Sequence, residues 1–467
     1  MSDHRRPLSD QGSDDVDSST SEQSPSTEKG AALLRSTLLS PGYLRLLLLC
    51  ALIGIPVALA CFLFLTAEHE LQHLVWEKLP EELGYDRAPW WWALPTLLLA
   101  GLILAPIITR MRGHGGHVPV HGLGGAPIGP LDLPSVVLAA LAALPLGVVL
   151  GPEAPLMAIG GGLALLAVRG MKQQAGQGPV AAKAPMLLAT AGSTAAISSI
   201  FGGPIIAAIL VVESAGMGGA ALVMLLVPCL IASATGALVF TGFGDWTGLS
   251  IGALHLPKVP PDMTPDAGDF LWGVPIAALI GVAVAYLRGL GYVVERWLGE
   301  QTALRIVLCA FGAGVLLTLY ALLTDRSPEE AALSGQSALG ALAADPHNWS
   351  VAALLVLFLC KGLAWSLCLG SLRGGPIFPA ILLGGAIGIA CSGLPGLGTT
   401  PGLALGMAAA SAVVTGLPLS ASVLTVLLLG SDAHNQMPLI VIAVVVALVA
   451  AQLVPSRDQQ AVLPNAP

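Results

Sequence analysis

Residues 374–431 run for 58 consecutive positions without one Asp, Glu, Lys or Arg. The outer faces of a soluble domain must offer charge to water, so a stretch this long does not fit one. About 20 apolar residues cross a bilayer as a helix, so this run exceeds any single span and must fold back on itself. The Gly/Pro cluster Gly393–Gly402 is the expected break. The whole chain agrees. Only 10% of its 467 residues are charged and 55% are hydrophobic, whereas soluble chains carry roughly 25% charge. Mean hydropathy is +0.81. These values exclude a soluble enzyme, a disordered scaffold and a nucleic-acid binder. They leave an all-α polytopic membrane protein, because the apolar runs are continuous and lack the alternation of a membrane barrel.

Further uncharged runs lie at 46–67, 91–109, 133–152, 154–168, 184–212, 214–244, 270–287, 306–324, 346–360 and 433–456. Residues 1–40 form a polar tail that cannot bury a core. A first membrane half is expected at 41–244 and a second at 270–455. Between them lies a polar linker, 245–269, with four prolines and the acids Asp245, Asp262, Asp266 and Asp269. Residues 456–467 form a C-terminal tail. Arg35 and Arg45 precede the first span, an acidic loop follows it, and Arg110 and Arg112 follow the second. The positive-inside rule then places the N-terminus in the cytoplasm of a multi-pass cell-membrane protein. Trp76 and Trp90–Trp92 flank the outer loop and read as interfacial anchors. The seven cysteines stand singly in apolar sequence and read as core packing.

The two halves repeat each other. Residues 151–162 read GPEAPLMAIGGG and residues 375–386 read GPIFPAILLGGA. Later, GPIIAAILVV at 203–212 answers LPLSASVLTV at 417–426. A Gly-Pro pair opens a helix sharply, since Pro needs no donor in the first turn. A helix that starts inside a bilayer leaves its first N–H groups and its positive dipole end facing something other than lipid. An anion satisfies both. The plain alternative is a pair of kinked helices packed through small residues.

Glu153 favours the anion reading. It stands one residue inside the first helix start, and between Asp132 and Asp245 the only other acid is Glu213. An ionisable group at membrane depth is costly and is ordinarily retained for function. Its carboxylate mimics the anion that such a site would hold. It can occupy the site when ionised and leave when protonated.

These residues resemble the CLC family of chloride channels and proton/chloride exchangers. Gly151-Pro152-Glu153-Ala154-Pro155 is similar to the family's G-K/R-E-G-P start, with Pro and Ala in place of the basic residue and Gly. Gly375-Pro376-Ile377-Phe378-Pro379 is similar to G-x-F-x-P, with Phe moved by one place. Gly115-Gly116-His117-Val118-Pro119 is a looser match to G-S-G-I-P. Phe201-Gly202-Gly203-Pro204 leading to Glu213 is similar to the F-N-A-P…E-E helix. The resemblance covers roughly residues 40–455. It implies two inverted repeats with broken and tilted helices, and a homodimer with one pore per subunit. It implies Glu153 as the gate, with anion contacts at Gly116, Ala154, Ile377 and Phe378. It implies chloride or another small anion as cargo, protons as a second cargo if the chain exchanges, and neither an enzymatic activity nor a cofactor or metal. Glu213 is either the proton relay or a structural acid. Ser214 stands where exchangers of the family carry an inward Glu, and this tilts the expectation toward a passive or loosely coupled pore. The family's late Tyr has no counterpart, since Tyr320 is the last tyrosine. A site without Ser and Tyr hydroxyls relies on amides and dipoles, and weaker or less selective binding follows.

Other motifs compete. His69-Glu70-Leu71-Gln72-His73 has the H-E-x-x-H spacing of zinc proteases. A membrane protease would need a third ligand, and Asp132 or Asp245 lacks the expected setting. His114, His117 and His121 read either as a metal or pH-sensing cluster or as caps of a Gly-rich turn. Lys361 and Arg373 are the only bases between Arg326 and Arg457. Arg373 reads equally as an anion-drawing charge and as an interface residue.

Overall fold

The computed structural model describes residues 34–455 apart from 124–127, 172–178, 217–218, 249–255, 257–258, 260–263, 300–302 and 431–432. Most of both tails and of the central linker therefore lie outside the described residues. The first half comprises α1 (Pro41–His73), α2 (Ala93–Arg110), α3 (Leu133–Ala143), α4 (Glu153–Met171), α5 (Pro179–Ile200), α6 (Pro204–Ala215) and α7 (Gly219–Thr247). The second comprises α8 (Ala267–Leu298), α9 (Ala303–Thr324), α10 (Gln336–Ala344), α11 (Val351–Ser371), α12 (Ile377–Cys391), α13 (Thr399–Thr415), α14 (Pro418–Leu429) and α15 (Ala433–Ala451). Among the described residues seven helices are long and apolar enough to cross a membrane. Others, such as α3, α6 and α14, are too short to cross, and the fold is that of two inverted repeats with broken helices.

Each repeat packs in the same way. α1 lies on α5 and α7 as α8 lies on α13 and α15, and α4 pairs with α5 as α12 pairs with α13. Across the two repeats, α2 meets its counterpart α9 and α6 meets its counterpart α14. The α12–α13 pair shows how the sequence permits this. A Cβ at Gly384 would strike the Gly406 carbonyl, and one at Gly388 would strike the Gly402 carbonyl. In lipid there is little hydrophobic drive between helices, so such backbone-to-backbone approach supplies the van der Waals contact that holds them.

The structure revises three expectations. The 58-residue uncharged run breaks twice, after Cys391 and again at Gly416, where the chain turns left-handed (φ 67°). The uncharged stretch 133–152 is not a span, because α3 stops at Ala143 and the chain turns through residues 144–150. Hydropathy reports burial there, not crossing. Trp76 is no interface anchor: it is 1% exposed, and its indole N–H donates to the Pro145 carbonyl at 2.9 Å. Its ring fills the space beside Gly147, whose φ is 102°. Trp76 therefore props the turn that aims the chain at Gly151. Trp92 is also buried, while Trp90 is exposed.

Candidate functional site

The two matching Gly-Pro starts meet face to face. Gly151 N–H donates to the Gly375 carbonyl at 2.7 Å, and Gly375 N–H returns the bond to Gly151 at 2.5 Å. This two-bond antiparallel bridge joins the repeats directly. It satisfies backbone groups that buried loops otherwise leave unpaired. Pro152 and Pro376 follow, and α4 and α12 begin at once. Both helix N-termini are thus fixed around one point.

Glu153 occupies that point. It is 1% exposed, and its Oε1 accepts from the Phe378 amide at 3.0 Å. The Ile377 amide and its own amide also face the carboxylate. The carboxylate of one repeat therefore sits on the helix start of the other, where the dipole of α12 favours negative charge. Oε2 is buried without a hydrogen-bond partner. It lies in a slot between Gly151 and Gly375, and a Cβ on either glycine would overlap it. An unsatisfied buried carboxylate oxygen costs more than a satisfied one, so Glu153 is held here only in part.

The expected site residues fall into place unequally. Phe378 and Ile377 stand at the carboxylate. Ala154 is buried in the first turn of α4. Gly116 lies in the 113–118 turn, but its N–H is given to the Gly113 carbonyl at 2.8 Å. Glu213 caps the other paired start: Oε1 accepts from Leu419 N–H at 2.6 Å and Oε2 from Ser420 N–H at 2.7 Å. It therefore ends α6 on the N-terminus of α14, with its two oxygens engaged across the repeats. Ser214 is exposed beside it.

Arg373 is neither interfacial nor free. It is 3% exposed, and its Nε–H donates to the His114 carbonyl at 3.0 Å. It ties the 113–118 turn to the segment leading into Gly375. The three histidines in and after that turn have separate partners: His114 Nδ1 meets the Ile108 carbonyl, His117 Nε2 the Gly122 carbonyl and His121 Nε2 the Glu295 carboxylate at 2.8 Å. The first two hold backbone carbonyls beside the turn, and the third pairs with α8. Burial pushes the His117 imidazole below its usual value. The H-E-x-x-H segment does not form a metal centre either. His73 pairs with Glu77 at 3.1 Å and Glu70 is exposed. Among the described residues no three His, Cys, Asp or Glu gather as a metal site.

A cavity of about 460 Å³ opens between the end of α1 and the 327–341 segment. Pro152, Glu68, His69, Glu329 and Ser334 are among its walls, so it reaches the residue before Glu153. Two residues near the site carried little signal in the sequence. Phe201 packs its ring 5.7 Å from that of Phe378 and walls the site with apolar surface. Lys361 is wholly buried behind α12. A lone Lys within an uncharged run was the one available sign.

Comparison with known proteins follows this geometry. A model of the voltage-gated chloride channel family matches residues 97–452. The chain belongs to this family. It is a CLC protein, and the family's work is anion transport across membranes. Relatives include a putative ion-transport protein, YfeO, from Escherichia coli O139:H28, 28% identical over 72% of this chain and 76% of that protein. The same named protein from Shigella boydii serotype 4 matches equally. Among solved structures, a slow cyanobacterial chloride/proton antiporter matches with a TM-score of 0.71 at 17% identity, covering 90% of this chain and 96% of that one. A CLC-type fluoride/proton antiporter matches at 0.63 and 20% identity, covering 87% and 94%. At these identities the structural matches speak for the fold.

Proposed function

We propose that the chain passes small anions, chloride foremost, along a path that Glu153 plugs. The observation that carries this is the Glu153 carboxylate on the Phe378 amide, a negative group of one repeat seated on the helix start of the other. When the carboxylate is neutralised or swings out, the same amides and dipole hold a mobile anion. The protein sits in the cell membrane with its N-terminus in the cytoplasm, as Arg35, Arg45, Arg110 and Arg112 direct. Family membership supports a homodimer with a pore in each subunit.

Conduction is passive or loosely coupled in this reading. Ser214 cannot carry a proton inward, and Glu213 is engaged as a helix cap, so a relay through it would have to break two amide contacts. The second reading, proton-coupled exchange, draws on the two structural neighbours, a fluoride/proton antiporter and a chloride/proton antiporter. Purified protein in liposomes separates the two, with chloride efflux and proton movement recorded together for wild type and Glu153→Gln. Chloride efflux without proton movement is expected. Opposed proton uptake that the variant abolishes would establish exchange. No anion flux from folded wild type would refute both.

A further inference from the structure

A lysine in the interior of a membrane protein must have its charge met by something. Lys361 lies in the middle of α11 with 0% exposure. Its ammonium spends its three donors on three successive carbonyls: Ala331 at 2.9 Å, Ala332 at 2.8 Å and Leu333 at 3.2 Å. None of the ion pairs among the described residues includes it. The three hydrogen bonds are complete, and among the described residues no carboxylate pairs with the ammonium. If hydrogen bonding to the turn were the only need, a neutral donor would meet it with less desolvation cost.

The turn it holds leads to the anion site by two routes. Leu333, left-handed at φ 60°, donates its N–H to the Gly147 carbonyl at 3.3 Å, and residues 148–150 run from there into Gly151. On the other side, a Cβ at Gly335 would touch both Lys361 Cε and Leu382. Leu382 lies on α12, one turn beyond Phe378. Cys368, two turns along α11 from Lys361, draws the Val149 amide to its sulfur. Lys361 thus stands behind both segments that make the site. With the helical rise from Leu382 to Phe378 of about 6 Å added to these contacts, the ammonium lies on the order of 10–15 Å from the Phe378 amide.

We infer that Lys361 is a fixed internal cation that sets the anion affinity of the Glu153 site. It adds positive potential at a site where the sequence lacks counterparts of the family's Ser and Tyr. It never touches the anion. It acts as a positioning residue for the 331–335 turn and as a source of positive potential at the paired helix starts. At about 12 Å and an effective dielectric constant of about 20, a unit charge alters anion binding about ten-fold. The inference rests on the anion reading above.

The test separates charge from hydrogen bonding. Chloride binding to purified protein is measured by calorimetry at constant ionic strength, with gluconate as the balancing anion. Thermal stability is read on the same samples. Lys361→Gln keeps two N–H donors for the turn and loses the charge, and chloride binding should weaken about ten-fold. Lys361→Arg keeps the charge and should stay within two-fold of wild type. Lys361→Met should match Gln in affinity and lose stability besides, since it leaves three carbonyls unpaired. If Met does not fold, Gln carries the test. Wild-type affinity in folded Lys361→Gln overturns the inference. A wild type that neither binds nor passes chloride instead overturns the anion reading itself, which keeps the two failures distinct.

Discussion

Truncating Glu153 to Ala tests whether the carboxylate competes with a mobile anion for one place. In the structure its Oε1 holds the Phe378 amide at 3.0 Å, a hydrogen bond to a charged acceptor. Such bonds contribute about 1.5–3 kcal/mol net. Divided by an RT of about 0.59 kcal/mol, this corresponds to an occupancy ratio of roughly 13 to 160 in favour of the plugged state. A ligand that binds only the unplugged state has its affinity reduced by that factor. Glu153→Ala should therefore bind chloride about 10-fold to about 150-fold more tightly than wild type in alkaline buffer, where the competing carboxylate is ionised. Calorimetric titration of detergent-purified protein measures this directly, with Glu70→Ala, an exposed acid outside the site, as the control. Gln at 153 should give a smaller gain, because it keeps the bulk and loses the charge. Equal chloride affinity in wild type and Glu153→Ala would refute the competition argument.

Three further outcomes follow from the same geometry. Gly375→Ala places a Cβ on Glu153 Oε2 and should expel the side chain, so that anion efflux loses any pH dependence that a protonatable plug confers; efflux at acid and neutral pH checks it, and a wild-type pH profile counts against the slot. Glu213→Gln gives up the charge of a carboxylate that caps α14 through two amides, and should lower stability by about 1–3 kcal/mol, seen as a fall in melting temperature, with no change in proton movement. At the cavity wall, burial first, then Glu77 and Glu330, push the Glu329 carboxyl up to about 7. A raised carboxyl binds its proton more tightly in the folded state, so its stabilising share is full below the usual carboxylate range and disappears as pH climbs through about 7. Glu329→Gln should flatten that dependence by about 1–2 kcal/mol after solvent screening, as read by denaturation at several pH values.

The sequence made the helix starts legible and left their meeting hidden. Pro and Gly punctuate the chain locally, so GPEAP and GPIFP could be read as openings of α4 and α12 without any partner. The bridge between Gly151 and Gly375 is tertiary, and no spacing encodes it. Residues 133–152 misread for the opposite reason: they are as free of charge as a true span, but Trp76, from the helical extension of α1, props the turn at Gly147 beyond the end of α3. Glu213 was legible as one of two acids between Asp132 and Asp245 and ambiguous between relay and structural acid, because only the fold brings the start of α14 to it. Gly116 matched a motif position while its amide was already needed to close its own turn.

The same comparison supports the proposal that one carboxylate suffices to gate the path. Each repeat ends its broken stretch with N–H groups that it cannot satisfy internally. Two such ends, joined by the glycine bridge, make a place that requires negative charge from somewhere. At the second pair of starts the requirement is met permanently, because Glu213 puts both oxygens on α14. At the first pair it is met incompletely, because Glu153 bonds through one oxygen and leaves the other unpartnered. In the proposed reading, a cap and a gate thus differ in how many of a carboxylate's oxygens the facing amides engage. Replacing a fully held anion costs both bonds, whereas a half-held one can give way to chloride.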